Sequence, residues 1–377
     1  MPEKINARNV VCHITTAHKA RDVRIFHKEA KSLAAAKFDV IIIAQNDRDE
    51  VIEGIKIVAL PKPQTRFQRM AGLSFRALIL ALRQKADVYH FHDPELVPAG
   101  LLLKLFRRKV IYDVHEDYPL VIQNRDWLGS DAARKIAAGL FNLLEQFSSR
   151  FFDCIIPATL DIARKFPKSK TIVLKNFPLL ALQEEGGSGV VEAEKEKPVI
   201  IYAGELTRIR GIRELTLAME FIRDKAELWL LGDWETESFE KECRRLDGWK
   251  YSKYLGFFPL EKVYGYTKLS DIGISILHPR ENYITSLPVK AFEYMACSLP
   301  IVMSDFPYWQ EIFGECALFA DPCNPEEIAE KISFLLDNPE IAEKLGKKGK
   351  ELVETKYNWE IESRSLVNLY EKLLHGR

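Results

Sequence analysis

Two groups of residues stand at spacings that could do chemistry, and the first is basic. In "YAGELTRIRGI" (202–212) Gly204 closes an apolar run, Arg208 and Arg210 follow, and Gly211 opens a helical pattern. A glycine turn that runs into a helix N-terminus is an anion site, and two guanidinium groups beside it suit a diphosphate. The plainer alternative is a solvated basic turn. In "ENYITSLPVKAFEYMACSLPIV" (281–302) Lys290 and Glu293 sit one turn apart at the start of a helix that packs through Val289, Phe292 and Ala296, with Pro288 in its first turn. A cation gains nothing from the dipole at that end of a helix, so the arrangement makes sense with an anion at hand. A carboxylate one turn on accepts two hydrogen bonds from a vicinal diol. Diphosphate plus diol describes a nucleotide. The alternative here is a surface i,i+3 ion pair, worth a few tenths of a kcal/mol.

The second group combines histidines with acids. "YHFHDPE" (89–95) and "YDVHEDYP" (112–119) bring His90, His92, Asp93, His115, Glu116 and Asp117 to the ends of two apolar runs. Metal binding is the first reading, but no HxxxH or HExxH helical spacing supports it, and serine hydrolysis lacks a GxSxG turn. "ITTAHKARDVRIFHKEA" (14–30) adds His18, Arg21, Asp22 and Arg24 where a dinucleotide fold would carry GxGxxG. That motif is absent, which argues against NAD or FAD. A polar surface for a sugar or another acceptor is what remains.

These groups need strands and helices to position them. Apolar runs at "NVVCHITT", "FDVIIIAQ", "IKIVAL", "DVYHFHD", "KVIYDVHE", "DCIIPAT" and "TIVLKN" alternate with helical patterns such as "RIFHKEAKSLAAAK". Continuous apolar strands between helices predict an α/β, doubly wound parallel sheet. After a Gly, Glu and Lys-rich linker the alternation restarts at "VIIYAGEL", "AELWLLGD", "KYSKYLGF", "DIGISILH", "PIVMSD" and "CALFAD". The expected organisation is a first domain over 1–183, a linker over 184–197 and a second domain over 198–357. A final helix over about 358–377, with Trp359, Leu366, Leu369, Tyr370 and Leu373 on its apolar face, is expected to pack back on the first domain. Ligands of such sheets bind beyond the carboxyl ends of the strands, so the site is expected in a cleft between the two domains.

The 377 residues carry 47% hydrophobic and 29% charged side chains and no net charge, the profile of a soluble globular protein. No run is long and apolar enough to span a bilayer, and the start lacks a signal-peptide pattern, so a cytoplasmic location is expected. Six scattered cysteines without CxxC spacing read as free thiols. Charge is uneven: residues 1–183 hold 29 Lys+Arg and 19 Asp+Glu (+10), and residues 184–377 hold 25 and 35 (−10). No nucleic-acid partner is expected.

Together "RENYITSLPVKAFEYMACSLPIVMSDFPYWQEI", "YAGELTRIRGI", "YHFHDPEL" and "YDVHEDYP" resemble the GT-B-fold glycosyltransferases of the family 4 group, nearest to members that build surface polysaccharides or other glycoconjugates. The resemblance runs over nearly the whole chain. It implies two Rossmann-like domains facing across a cleft and a retaining transfer from a UDP- or GDP-sugar, with no cofactor and no essential metal. Glu293 then matches the second glutamate of the family's E-x7-E motif, which holds the ribose hydroxyls. Arg210, with Arg208 as helper, neutralises the diphosphate, and His115 lies near the transferred sugar. Gly204, Thr285, Ser286 and Lys290 face the donor. Thr285 stands where the first glutamate of the motif would be, so its hydroxyl, that of Ser286 and the loop backbone take that place. His18, Arg21, His92, Asp93 and Glu116 are the expected acceptor contacts. The acceptor is a saccharide or a lipid-linked molecule, because basic and apolar residues interleave at 65–83 and 104–110 as in membrane-surface segments, which makes an anionic membrane face a further expected partner. A nucleotide-sugar epimerase on the same fold, or a non-catalytic nucleotide-sugar-binding subunit, are the rival readings.

Overall fold

The computed structural model describes residues 8–123, 129–180 and 195–376. The chain divides into two compact units, Met1–Asn176 with Ile361–Arg377, and Phe177–Glu360. The second unit begins at Phe177, ahead of the expected boundary, because that ring packs with Phe292 and Tyr357 at centroid distances of 4.8 and 5.3 Å. Most of the expected linker, 184–194, lies outside the described residues.

The first unit holds strands β1 (Val10–Lys19), β2 (Asp39–Gln45), β3 (Glu50–Ile52), β4 (Ile55–Leu60), β5 (Val88–Phe91), β6 (Lys109–Val114) and β7 (Cys154–Pro157). They form one sheet in the order β3-β4-β2-β1-β5-β6-β7. All neighbours are parallel except β3, which folds back antiparallel on β4 through Glu53 and Gly54, both at positive φ, as tight hairpins require. The expected strand at 171–176 is a correction. Only a bridge between Thr171 and Ile155 forms. Beyond it the amides of Ile172 and Leu174 still donate to the Ile155 and Pro157 carbonyls, and side chains take the rest: the Leu174 carbonyl accepts from Arg24, and the Lys175 amide donates to Glu362.

Successive strand residues point to opposite faces, and the two faces of this sheet differ in kind. Cys12, Tyr89, Phe91 and Tyr112 join the apolar core with Leu73, Ala77 and Leu103. On the other face stand His13, His90 and Asp113, all fully buried. The helical segment Val23–Ala30 supplies Arg24 and Glu29 to that face. The last helix, Trp359–His375, supplies Tyr370, whose hydroxyl lies 2.7 Å from His90 Nδ1.

The second unit holds β8 (Val199–Ala203), β9 (Glu227–Leu231), β10 (Ser252–Gly256), β11 (Ile272–Ser275), β12 (Ile301–Ser304) and β13 (Ala317–Ala320). They run parallel in the order β10-β9-β8-β11-β12-β13, each where an apolar run predicts it. In both units the chain starts in mid-sheet, winds to one edge and returns to the other side. The reversal opens a crevice beyond the strand ends, between β1 and β5 in the first unit and between β8 and β11 in the second. Cys12, Cys154, Cys243 and Cys316 are buried, Cys297 is half-buried and Cys323 is exposed, all as free thiols. No described helix is long and apolar enough to cross a membrane.

Candidate active site

In the second unit the site starts where β8 ends. Gly204 has φ +137°, outside the reach of ordinary residues, and its amide donates to the Leu231 carbonyl at 2.9 Å. A Cβ built on it would lie 2.9 Å from Lys290 Nζ and 3.5 Å from Arg210 Nη1. Two cations therefore converge on one bare stretch of backbone. Tyr202 lies against both of them: Lys290 sits over its ring, 3.5 Å from the centroid, and the Arg210 charge acts on its hydroxyl, which donates to the Glu205 carbonyl at 3.1 Å. Arg210 also pairs with Glu205 at 3.0 Å. Burial and then the Arg210 charge hold the Lys290 ammonium well below the usual lysine range, against the pull of Glu293. Charges arranged this way are relieved by an anion.

The helix Val289–Ala296 aims Lys290 and Glu293 because its other residues are fixed. Ala291, Phe292, Tyr294 and Met295 are buried, which leaves Lys290 and Glu293 half-buried between them. The Tyr294 hydroxyl accepts the Ala203 amide at 2.9 Å, tying the helix to the end of β8. Its ring fills the space that a side chain at Gly273 would take, with a Cβ there 2.5 Å from the ring. Pro288 stands as the N-cap of this helix, just before the first turn. In the loop ahead, Thr285 is exposed, while the Ser286 hydroxyl donates to the Tyr283 carbonyl at 3.1 Å and the Ser286 carbonyl accepts from Trp309 Nε1 at 2.7 Å.

Arg208 departs from the expected pairing with Arg210. Its guanidinium forks onto Glu242, which Arg213 shares, and it stacks 4.8 Å over the Phe239 ring. Its charge is thus directed to Glu242 and the Phe239 ring. Lys290, some eighty residues on, is the second cation of the convergence.

In the first unit a cavity of about 970 Å³ opens beyond β1 and β5. One wall is polar, with His18, Asp93, His115 and Glu116; the other is apolar, with Met70, Val121, Phe141 and Leu144. Asp93 shapes the irregular end of β1, where the register against β2 shifts, by accepting from the Thr15 hydroxyl at 2.8 Å and the amides of Thr16 and Ala17 at 2.5 and 3.1 Å. Burial opposes charge on both His18 and Asp22. Their 3.1 Å hydrogen bond prevails, raising the imidazole above its usual range and bringing the carboxyl down to about 2.

Two expected acceptor contacts do not line the cavity. His92 is fully buried; it lies behind His115, with 3.3 Å between His92 Nδ1 and His115 Nε2. Arg21 is exposed and does not line the cavity. Unforeseen members are Tyr118, the Arg69–Glu95 pair at 3.1 Å and the apolar wall. His13, Glu29 and Asp113, beneath the cavity, also escaped notice. The alternation in "VVCHITT" and "VYHFHD" carries the signal that would have placed His13 on one face with His90 and His92.

The description "Glycosyl transferase 4-like domain" matches residues 23–171, and "Glycosyl transferases group 1" matches residues 188–352. Spore coat protein SA of Bacillus subtilis (strain 168) is 24% identical over 380 residues, covering 93% of this chain and 94% of that protein. Sucrose-phosphate synthase from Thermosynechococcus elongatus superposes with a TM-score of 0.78 at 20% identity, covering 98% of this chain and all of that one. HepE of Anabaena, solved in complex with UDP and glucose, superposes with a TM-score of 0.72 at 14% identity over 97% of this chain and 100% of that one. At such identities the structural likeness speaks for the fold.

Proposed function

Because the chain belongs to the GT-B glycosyltransferases of the family 4 type, we propose that it moves a sugar from a nucleoside-diphosphate sugar to a hydroxyl acceptor with retention, in polysaccharide or glycoconjugate synthesis. The observation that carries the donor half is the convergence of Lys290 and Arg210 on the backbone of Gly204. As the bond from the sugar to the diphosphate breaks, negative charge grows on the leaving group, and fixed cations already in place stabilise it without reorganisation. Glu293, one turn beyond Lys290, accepts the ribose hydroxyls. A structural relative solved with UDP and glucose favours UDP as the first nucleotide to test, with GDP as the alternative.

The acceptor half rests on the cavity of the first unit. A polar wall with His18, His115 and Glu116 suits a saccharide hydroxyl, and an apolar wall with Met70 and Phe141 suits a hydrophobic carrier. The helix Asp131–Ser149, which supplies Phe141 and Leu144, also exposes Ile136, Leu140, Leu143 and Phe147, so apolar surface continues from the cavity to the outside. In this reading the acceptor is lipid-linked and the enzyme works on the inner, anionic face of a membrane.

Thermal shift against UDP, GDP and their sugars tests the donor site, since a ligand of the native state raises the midpoint. Glu293→Gln should weaken the cognate nucleoside diphosphate by about 1–3 kcal/mol, the range for charged hydrogen bonds. Undiminished binding in that variant removes the ribose role. Nucleoside diphosphate released only in the presence of acceptor separates transfer from epimerisation.

A further inference from the structure

Beneath the acceptor cavity lies a group of side chains that sugar transfer leaves unused. β1 and β5 pair in parallel with His13 beside His90, His92 follows on the same face, and Glu29 reaches in from the segment Val23–Ala30. All four are fully buried, and one donor atom from each lies within 4.8 Å of every other. Glu29 Oε2 is 3.7 Å from His13 Nδ1, 3.8 Å from His92 Nε2 and 3.9 Å from His90 Nδ1, and His13 Nδ1 is 3.0 Å from His92 Nε2. Tetrahedral zinc with bonds near 2.0–2.1 Å sets its ligand atoms about 3.3 Å apart. Shifts of a few tenths of an ångström bring these edges to that value. A second observation is independent of the spacing. Glu29 Oε2, the oxygen that faces the imidazoles, is buried without a hydrogen-bond partner, a costly state for a polar atom in a core.

The neighbouring charges leave room for a cation. Arg24 forks onto Asp113 at 3.0–3.1 Å, so that pair is internally balanced. Glu29 divides its oxygens, with Oε1 at 3.0 Å from Arg24 Nε and Oε2 facing the three imidazoles.

We propose that His13, Glu29, His90 and His92 form a buried zinc site of three imidazoles and one carboxylate. Imidazole and carboxylate at tetrahedral spacing select zinc over magnesium or calcium. Four protein ligands with no exposure leave no open position, so the ion is structural. It ties β1 and β5 to the segment Val23–Ala30 and takes no part in the transfer. His90 completes the set by giving up the contact of its Nδ1 with the Tyr370 hydroxyl. One connection reaches the cavity: a His92 that binds zinc through Nε2 carries its proton on Nδ1 and donates it to His115 Nε2, which fixes the His115 tautomer.

The test is metal analysis of the whole chain. Wild type incubated with zinc and gel-filtered should retain one ion per chain, and zinc should raise its melting midpoint. Cobalt(II) in its place should give the intense visible bands of tetrahedral coordination. Glu29→Gln and His13→Asn should lose both the ion and the shift. His278→Asn, at an imidazole paired with Glu214 in the other unit, should keep them. Wild type without retained zinc, weak octahedral cobalt bands, or full zinc in a Glu29→Gln/His13→Asn double variant would each overturn the proposal. The cobalt spectrum of wild type decides even where the variants fail to fold.

Discussion

Arg208 and Arg210 stand two positions apart and have different partners. Arg210 shares Tyr202 and Gly204 with Lys290, whereas Arg208 is held by Glu242. Arg210→Ala should therefore lower kcat on the order of 100-fold, as for loss of one preorganised group at a developing charge, and Arg208→Ala should cost far less. Steady-state kinetics decides: equal losses, or a change confined to the donor KM, sink the leaving-group role. Lys290 makes a prediction about pH. Its ammonium is held below the usual range by burial and Arg210, and a bound diphosphate pulls it back up, so binding takes up a proton. Affinity is then constant at pH values below the free group's pKa and falls as the pH rises through it. Calorimetry in buffers of different ionisation heat should detect the uptake, and Lys290→Met should abolish it. Identical uptake in the variant would point to another group.

The helix Asp131–Ser149 shows how one element serves two surfaces. Its outer face carries exposed leucines, and its inner face buries Glu145, which accepts the Tyr112 hydroxyl at 2.8 Å. Burial pushes the Glu145 carboxyl up to about 7 from an ordinary 4.5, against the pull of that hydrogen bond and of Lys165. The folded state then holds a proton that the unfolded chain releases at lower pH. Stability from this group is fully present below the unfolded value and is lost as the pH rises through about 7. At about 1.4 kcal/mol per pH unit the full swing is ~3 kcal/mol. Glu145→Gln, which keeps the acceptor for Tyr112, should flatten this slope between mildly acidic and mildly alkaline buffers. Parallel denaturation curves for wild type and variant would show that the carboxyl titrates normally.

At the scale of the molecule the charge divides, +10 over residues 1–183 and −10 over 184–377. The basic half also exposes large apolar side chains, among them Phe67 at 81% and Leu143 at 67%. A single-sign field beside apolar surface favours an anionic bilayer, with each Lys or Arg near the leaflet contributing about 1 kcal/mol. Co-sedimentation with phosphatidylserine vesicles should be strong at low salt and weaken as salt rises. Leu140→Glu/Leu143→Glu should lose it with the fold intact. Equal binding to neutral and anionic vesicles, or none to either, would leave a soluble acceptor.

The sequence by itself determined the local elements and the placing of Lys290 and Glu293 one turn apart on one helix. All six strands of the second unit lie where the sequence predicts them; for β8, β9, β11 and β12 the reason is that a strand buried on both faces is written into one short apolar segment. Lys290 and Glu293 were legible for the same reason, since three residues of helix set their relation. The edge strand Glu50–Ile52 was not, because three exposed or half-buried residues carry no period. Tertiary structure alone decided the partners of distant groups. It gave Arg208 to Glu242 and brought Lys290 to Arg210 across some eighty residues. It also buried His92 and set His13, Glu29 and His90 around it, on three segments joined only by parallel pairing and the packing of one helix. Linear spacing records neighbours along a helix or strand; which strand ends meet depends on the order of strands in the sheet, a property of the whole chain's packing.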